Sequence, residues 1–278
     1  MIPKEVCHYT KAETALKILA TKRLMIGQLK NTNDPRESRA GNVAIMFEQN
    51  APIAIDAHRG EILDQIRKKA KRIALERWKV LCVSIDGHPK YPQAHHTDMY
   101  NFHTEIYNQQ IRPAYCNPVM WSHYAEKHKG VCLIFDGRIL HQNLYSGLKD
   151  KCNILCGQVQ YDFVQTVGSP VVIIEKSNIN PEEVARDYYY VHYKDLFLRK
   201  LPAWKHENEF RWLIYSARQS AEFVSICGAI KALLVGIDFP KMKESKLKNL
   251  CEKLKISAGR MAWDNGIATP QFGSIYQP

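Results

Sequence analysis

The sequence predicts an α+β fold, and three observations carry that prediction. Helical and strand-like patterns mix without a strict βαβ rhythm, several short apolar runs read as buried strands, and no internal repeat or long Gly/Ser- or Pro-rich linker divides the chain. The expected organisation is one domain over residues 1–278, with a His-rich insertion at about 87–117 and a basic helix at about 241–255.

The elements follow in order. Thr10-Lys11-Ala12-Glu13 has the form of a capping box, and Ala12, Leu16 and Leu19 give one apolar face to a helix running through Ala20. Asn31-Thr32-Asn33-Asp34-Pro35 breaks regular structure as a turn or loop. Between Gly60 and Trp78, Ile62, Ile66, Ala70 and Ile73 recur at helical spacing, opposite a basic face; a strand over Val80–Ile85 follows. Asn117-Pro118 opens a helix carrying Met120, Trp121, Tyr124 and Ala125, with Gly130 placed to end it. Further strands are read at Val131–Phe135, Gly157–Tyr161, Val171–Ile174, Glu207–Tyr215, Ile230–Ile237 and near Ser257–Trp263. Asn180-Pro181-Glu182-Glu183 starts a helix toward Leu198, and Lys241–Lys255 is a basic amphipathic one.

Composition narrows the classes. No stretch approaches the roughly 18 apolar residues of a membrane span, and the N-terminus lacks a secretory layout, so a cytoplasmic protein is expected. The eight cysteines form no CxxC pair and read as reduced thiols, several of them buried. A formal charge of +11 favours anionic partners, whether nucleic acid, a phosphorylated cofactor or an acidic protein, without choosing between them. His88, His95, His96 and His103 fall in the insertion without HxH or HExxH spacing, so no metal ligand set is assigned.

The segment richest in chemistry is Trp204 to Ile214. Residues two apart on a strand share a face, which groups Glu207, Glu209 and Arg211 against Asn208, Phe210, Trp212 and Ile214. The second group is a core face. The first is either a solvated edge with cross-strand ion pairs or a carboxylate held by an adjacent Arg beside a cleft. Trp121 and Tyr124 make an aromatic stripe, and His8-Tyr9 ends a short strand.

These residues carry a resemblance. His8-Tyr9-Thr10, Asn33-Asp34-Pro35-Arg36-Glu37, Val80-Leu81-Cys82-Val83-Ser84, Met120-Trp121-Ser122-His123-Tyr124-Ala125, Gly130–Asp136, and Trp204 with Glu207-Asn208-Glu209-Phe210-Arg211 resemble, in order, the signatures of the bacterial domain-of-unknown-function family 2971. More loosely, an early His, then an aromatic residue, then a late-strand Glu is similar to ADP-ribosyltransferases. That likeness implies a split or mixed β-sheet core with flanking helices and a cleft that takes NAD as substrate. It gives His8 the ribose and adenosine side, Tyr124 (or Tyr9) the nicotinamide ring, and Glu209 the ribose hydroxyl, with Glu207 completing a Glu-x-Glu form. Arg211 would hold the pyrophosphate or keep the Glu ionised, and Trp121 and Asp34 (or Arg36) would line the same cleft, with no step assigned to the loop residues.

The expectation is therefore an NAD-consuming transferase or glycohydrolase, of the kind used as a toxin or defence effector. Two alternatives stand beside it: a nucleic-acid-binding or processing module resting on the +11 charge, and a non-catalytic ligand-sensing domain in which Glu207, Glu209 and Arg211 form an ion-pair ladder.

Overall fold

The computed structural model describes residues 1–38, 44–47, 56–86, 113–162, 171–174, 180–264 and 267–278. Most of the His-rich insertion, residues 87–112, lies outside them.

Strand β1 (Glu5–Thr10) leads into helix α1 (Ala12–Thr21). The capping box does not form: Lys11 is the N-cap without a side-chain bond, because Thr10 still belongs to the strand, opposite Val131. The apolar face holds, with Ala12, Leu16 and Leu19 buried beside Ala15 and Ile18. After β2 (Arg23–Gln28) come a 3-10 turn (Leu29–Asn31) and the short α2 (Pro35–Ser38). Next are β3 (Ala44–Phe47), α3 (Asp56–Glu76) and β4 (Trp78–Ser84). Ile66, Ala70 and Ile73 are buried on α3, as their spacing predicts.

Helix α4 (Pro118–Tyr124) is capped by Asn117, whose side chain accepts from the Val119 and Met120 amides. It ends earlier than Gly130, in a turn where Glu126, Lys127 and His128 all take positive φ. Gly130 serves a different purpose. A Cβ there would stand 2.3 Å from the Thr10 carbonyl oxygen, so only glycine lets this turn close on β1.

The chain continues through β5 (Val131–Asp136), α5 (Gly137–Leu148), β6 (Cys152–Gln158), β7 (Gln160–Tyr161) and β8 (Val171–Ile174). The helix expected toward Leu198 is two helices, α6 (Pro181–Val191) and α7 (Tyr193–Phe197), before β9 (Arg199–Lys200). A 3-10 stretch (Pro202–Glu207) precedes β10 (Glu209–Ser216), so the strand begins two residues later than the pattern suggests. The last elements are β11 (Glu222–Ser225), β12 (Ile230–Val235), α8 (Glu244–Leu254), β13 (Ser257–Asp264) and β14 (Ile267–Tyr276), with β11 and β14 additional to the strands read from sequence.

The principal sheet forks along β4. One edge of β4 pairs with β10 from Trp78 to Ser84, and β10 pairs onward with β6. The same strand meets β1 at Cys7–Ser84 and β2 at Gly27–Val80. From β1 the sheet runs through β5, β12, β13 and β14; from β2 it runs to β11. The fold is α+β with a mixed sheet: β12 and β13 are parallel and most other neighbours antiparallel.

Pleat alternation sorts the side chains into cores. Val6, Leu81, Val83, Leu133, Phe210, Trp212 and Ile214 pack on one face, with α1, α5 and α8 contributing Leu16, Leu140 and Leu247. The opposite face carries two separate clusters. Trp78, Val80 and Leu213 pack with Ile66, Tyr188 and Phe197, whereas Cys7, Tyr9, Cys132 and Ile134 pack with Trp121 and Tyr115. All eight cysteines are free thiols, five of them buried. Among the described residues, no helix is long and apolar enough to cross a membrane.

Candidate functional site

Between the two clusters on the second face lies a group of buried charges. Glu209 and Arg211 extend from that face of β10, alternating with core residues Phe210 and Trp212. The strand lies between β4 and β6, so the solvated-edge reading is overturned: Arg211 is 0% exposed and Glu209 6%. Glu207 is not on the strand. It ends the 3-10 stretch and reaches the group because Asn208 turns the backbone through left-handed φ 42°. The same turn removes Asn208 from the expected core face; its side-chain amide donates instead to the Ile85 and Asp86 carbonyls.

The contacts are short and specific. Arg211 donates from Nε to Glu209 Oε2 at 2.6 Å, and from Nη1 to Glu37 Oε1 at 2.6 Å and the Phe197 carbonyl at 2.8 Å. Lys200 Nζ donates to Glu207 Oε2 at 2.6 Å and lies 3.4 Å from Glu209 Oε2. The Tyr124 hydroxyl donates to Glu207 Oε1 and also meets the Asn33 side chain. Tyr161 accepts the Glu209 amide at 2.9 Å. Gly157, opposite Arg211 on β6, leaves room for Leu198: a Cβ would sit 2.4 Å from its Cδ1. That close approach lets the neighbouring Phe197 carbonyl reach Arg211.

Three carboxylates thus share two cations, and the carboxylates differ. Burial raises the Glu207 pKa, and the charge of Glu209 pushes it further. Burial would also raise Glu209, but Arg211 and then Lys200 outweigh it and hold the carboxyl below its ordinary range. Glu209 spends Oε2 on those cations, while Oε1 takes no hydrogen bond from a described residue. Both oxygens of Glu207 are engaged. Ser84 stands opposite Glu209 on β4, and its buried hydroxyl also has no hydrogen-bond partner among the described residues.

The residues singled out in the sequence separate into two groups. Glu207, Glu209, Arg211 and Tyr124 come together, and Asp34 is buried in the loop whose Asn33 meets Tyr124. Tyr9 and Trp121 do not line this site. They pack edge to face at 5.2 Å inside the core, Tyr9 donating to the Ala114 carbonyl and Trp121 Nε1 to that of Tyr115. His8 is placed apart from Glu209. Cys7 pairs with Ser84, itself opposite Glu209, so the next residue along leaves the sheet on the other face. Its Nδ1 lies 3.2 Å from the Cys82 carbonyl, at the fork where β4 has parted from β1, and burial lowers its pKa. Lys200 escaped the sequence reading, because a lysine beside Leu201-Pro202 shows no periodicity; Glu37 stood out in the family signature and, with Asp34, Glu207 and Glu209, as a conceivable ligand of a metal-dependent nuclease.

Fold and site define an α+β protein with a forked sheet and a buried charge cluster on one face. Residues 120–212 match the family described as "Protein of unknown function (DUF2971)", which bears out the family resemblance read from the sequence. The matched segment contains Tyr124, Lys200, Glu207, Glu209 and Arg211. No curated protein and no solved structure matches the chain.

Proposed function

We propose that the Glu209–Tyr124 face is the reactive centre of an enzyme that consumes NAD, by hydrolysing its N-glycosidic bond or by passing ADP-ribose to an acceptor. The observation that carries this reading is the state of Glu209: fixed, held ionised by Arg211 and Lys200, and with one oxygen uncommitted among the described residues. Cleavage of the bond to nicotinamide develops positive charge on the ribose, and a fixed carboxylate stabilises that charge. Glu209 Oε1 suits a ribose hydroxyl. Tyr124, half-buried and anchored through Glu207, offers a ring for the nicotinamide. Glu207, with both oxygens in use, is a positioning residue for Tyr124 and Lys200. His8 has no part in this arrangement, which departs there from the transferase pattern.

The test is nicotinamide release from NAD by the full chain and by Glu209→Gln. Release by the wild type that falls at least about a hundredfold in a folded Glu209→Gln supports the assignment. No release by the wild type, or an unchanged rate in the variant, removes it. The competing structural reading expects Glu209→Gln to lower the melting temperature with no activity to lose, since Arg211 ties β10 to α2 and to the end of α7.

A further inference from the structure

At the opposite end of β10 from the charge cluster, we propose a second binding site, one for a phosphorylated planar ring of mononucleotide size. It occupies a groove of about 540 Å³ between the Lys149–Asn153 segment, α6 and the end of β10. That volume is in the range of small-molecule sites. Glu209 and Tyr215 are six residues apart on the strand, so the groove lies roughly 20 Å from the proposed reactive centre.

The groove is built from both sides. Tyr215 and Asn153 are register partners on β10 and β6, and their side chains leave the sheet together. Arg186 and Tyr190 are four residues apart on α6 and project over them from one helical face. The rings of Tyr190 and Tyr215 meet edge to face at 5.5 Å, and both rest on buried Trp78, at 5.3 and 5.6 Å. Such locked rings offer a rigid apolar surface to a planar ligand.

Charge supplies the second half of the recognition. Lys149, Lys151 and Arg186 line the groove. Arg186 is steadied through Nε by Asp187 Oδ1 at 3.0 Å, and among the described residues its two terminal nitrogens have no carboxylate partner, which suits an anion. Lys149 and Lys151 are both exposed, and among the described residues neither is paired with a carboxylate. Asp150 is the acid beside them, and with Asp187 engaged the lining keeps an excess of positive charge. A ring on the tyrosines with its phosphate among the three cations uses every part. The ring and phosphate have two natural sources, a free mononucleotide or one unit of an RNA strand.

Calorimetric titration of the full chain with AMP, adenosine, inorganic phosphate and a short oligoribonucleotide tests the site. AMP is expected to bind more tightly than adenosine or phosphate alone. Arg186→Gln and Lys151→Gln should each weaken it by roughly tenfold, as the loss of a hydrogen bond to a charged group would. Both residues reach solvent, so melting temperatures should hold within a degree or two. Oligoribonucleotide binding much tighter than AMP, and weakened by the same substitutions, identifies RNA as the source; the reverse order identifies a free nucleotide. No binding of AMP or the oligoribonucleotide, or binding that both substitutions leave unchanged, overturns the proposal. Glu209→Gln must leave AMP affinity intact, which separates this site from the reactive centre.

Discussion

Arg211 Nη1 lies 2.6 Å from Glu37 Oε1, joining an interior strand to a helix of four residues 174 positions earlier in the chain. The same guanidinium holds Glu209 and the Phe197 carbonyl, so one side chain fastens three elements around the candidate site. Removing a partner from such a group leaves the others charged and dry. Arg211→Met is therefore expected to lose about 3–5 kcal/mol in chemical denaturation. Glu37→Gln, which keeps the shape and an acceptor, should lose about 1–3 kcal/mol. Near-neutral results for both would show that the cluster is not holding α2 in place.

The two neighbouring carboxylates predict opposite pH dependences. The folded pKa of Glu207 is raised above 4.5, so the folded chain binds the proton more tightly than the unfolded one. Its contribution falls as pH rises from 4.5 through that raised value. The folded pKa of Glu209 is lowered, so its contribution is present above 4.5 and is lost as pH falls below it. Unfolding midpoints between about pH 3 and pH 8 should lose the upper slope in Glu207→Gln and the lower slope in Glu209→Gln. One slope unaffected by its own substitution would contradict the assignment.

Trp212 Nε1 donates to His141 Nδ1 at 3.1 Å, so that nitrogen must carry no proton. Burial already lowers the His141 pKa below 6.5. A lowered pKa means that the neutral-ring contribution is complete above 6.5 and is lost as pH falls from 6.5 to the folded value. Melting temperatures should decline across that window in the wild type and change little in His141→Gln. The bond itself is worth about 1 kcal/mol. An equal decline in both proteins would place the sensitive group elsewhere.

Asn117 does two things at once: it caps α4 through Oδ1, and its amide donates to the His206 carbonyl, next to Glu207. Asn117→Ala should cost about 1 kcal/mol from the cap. Because it frees the stretch before Glu207, it should also reduce nicotinamide release more than that stability loss explains. Asn117→Asp, which keeps the cap and loses the donor, isolates the second effect. Equal activity in Asn117→Asp and the wild type would confine Asn117 to the cap.

Much of the fold was legible because core faces obey local periods. The helices at α1, α3, α4 and α8, and the strands at β4, β5, β8, β10 and β12, lie where apolar spacing puts them, within a few residues at the ends. The errors share a cause. Thr10 was read as a cap and is the end of a strand, because Val131 claims its backbone. Glu207 was read as strand and is not, because Asn208 adopts a left-handed φ that no spacing announces. Trp121 and Tyr9 were assigned to a ligand, yet the core takes both, the commoner fate of an aromatic stripe.

Periodicity along β10 determined from sequence alone that Glu209 and Arg211 share one face and that Phe210 and Trp212 take the other, since side chains on a strand alternate whatever lies beside it. Whether the charged face met water or protein was decided only by long-range pairing. With β4 and β6 on its two sides, and α2 and α7 supplying Glu37 and the Phe197 carbonyl, the strand became interior and its charges became a buried group. The same pairing sent His8 to the other face, one residue past Cys7. Local chemistry fixes the direction of a side chain relative to its own strand; what it meets there depends on residues far away in the chain.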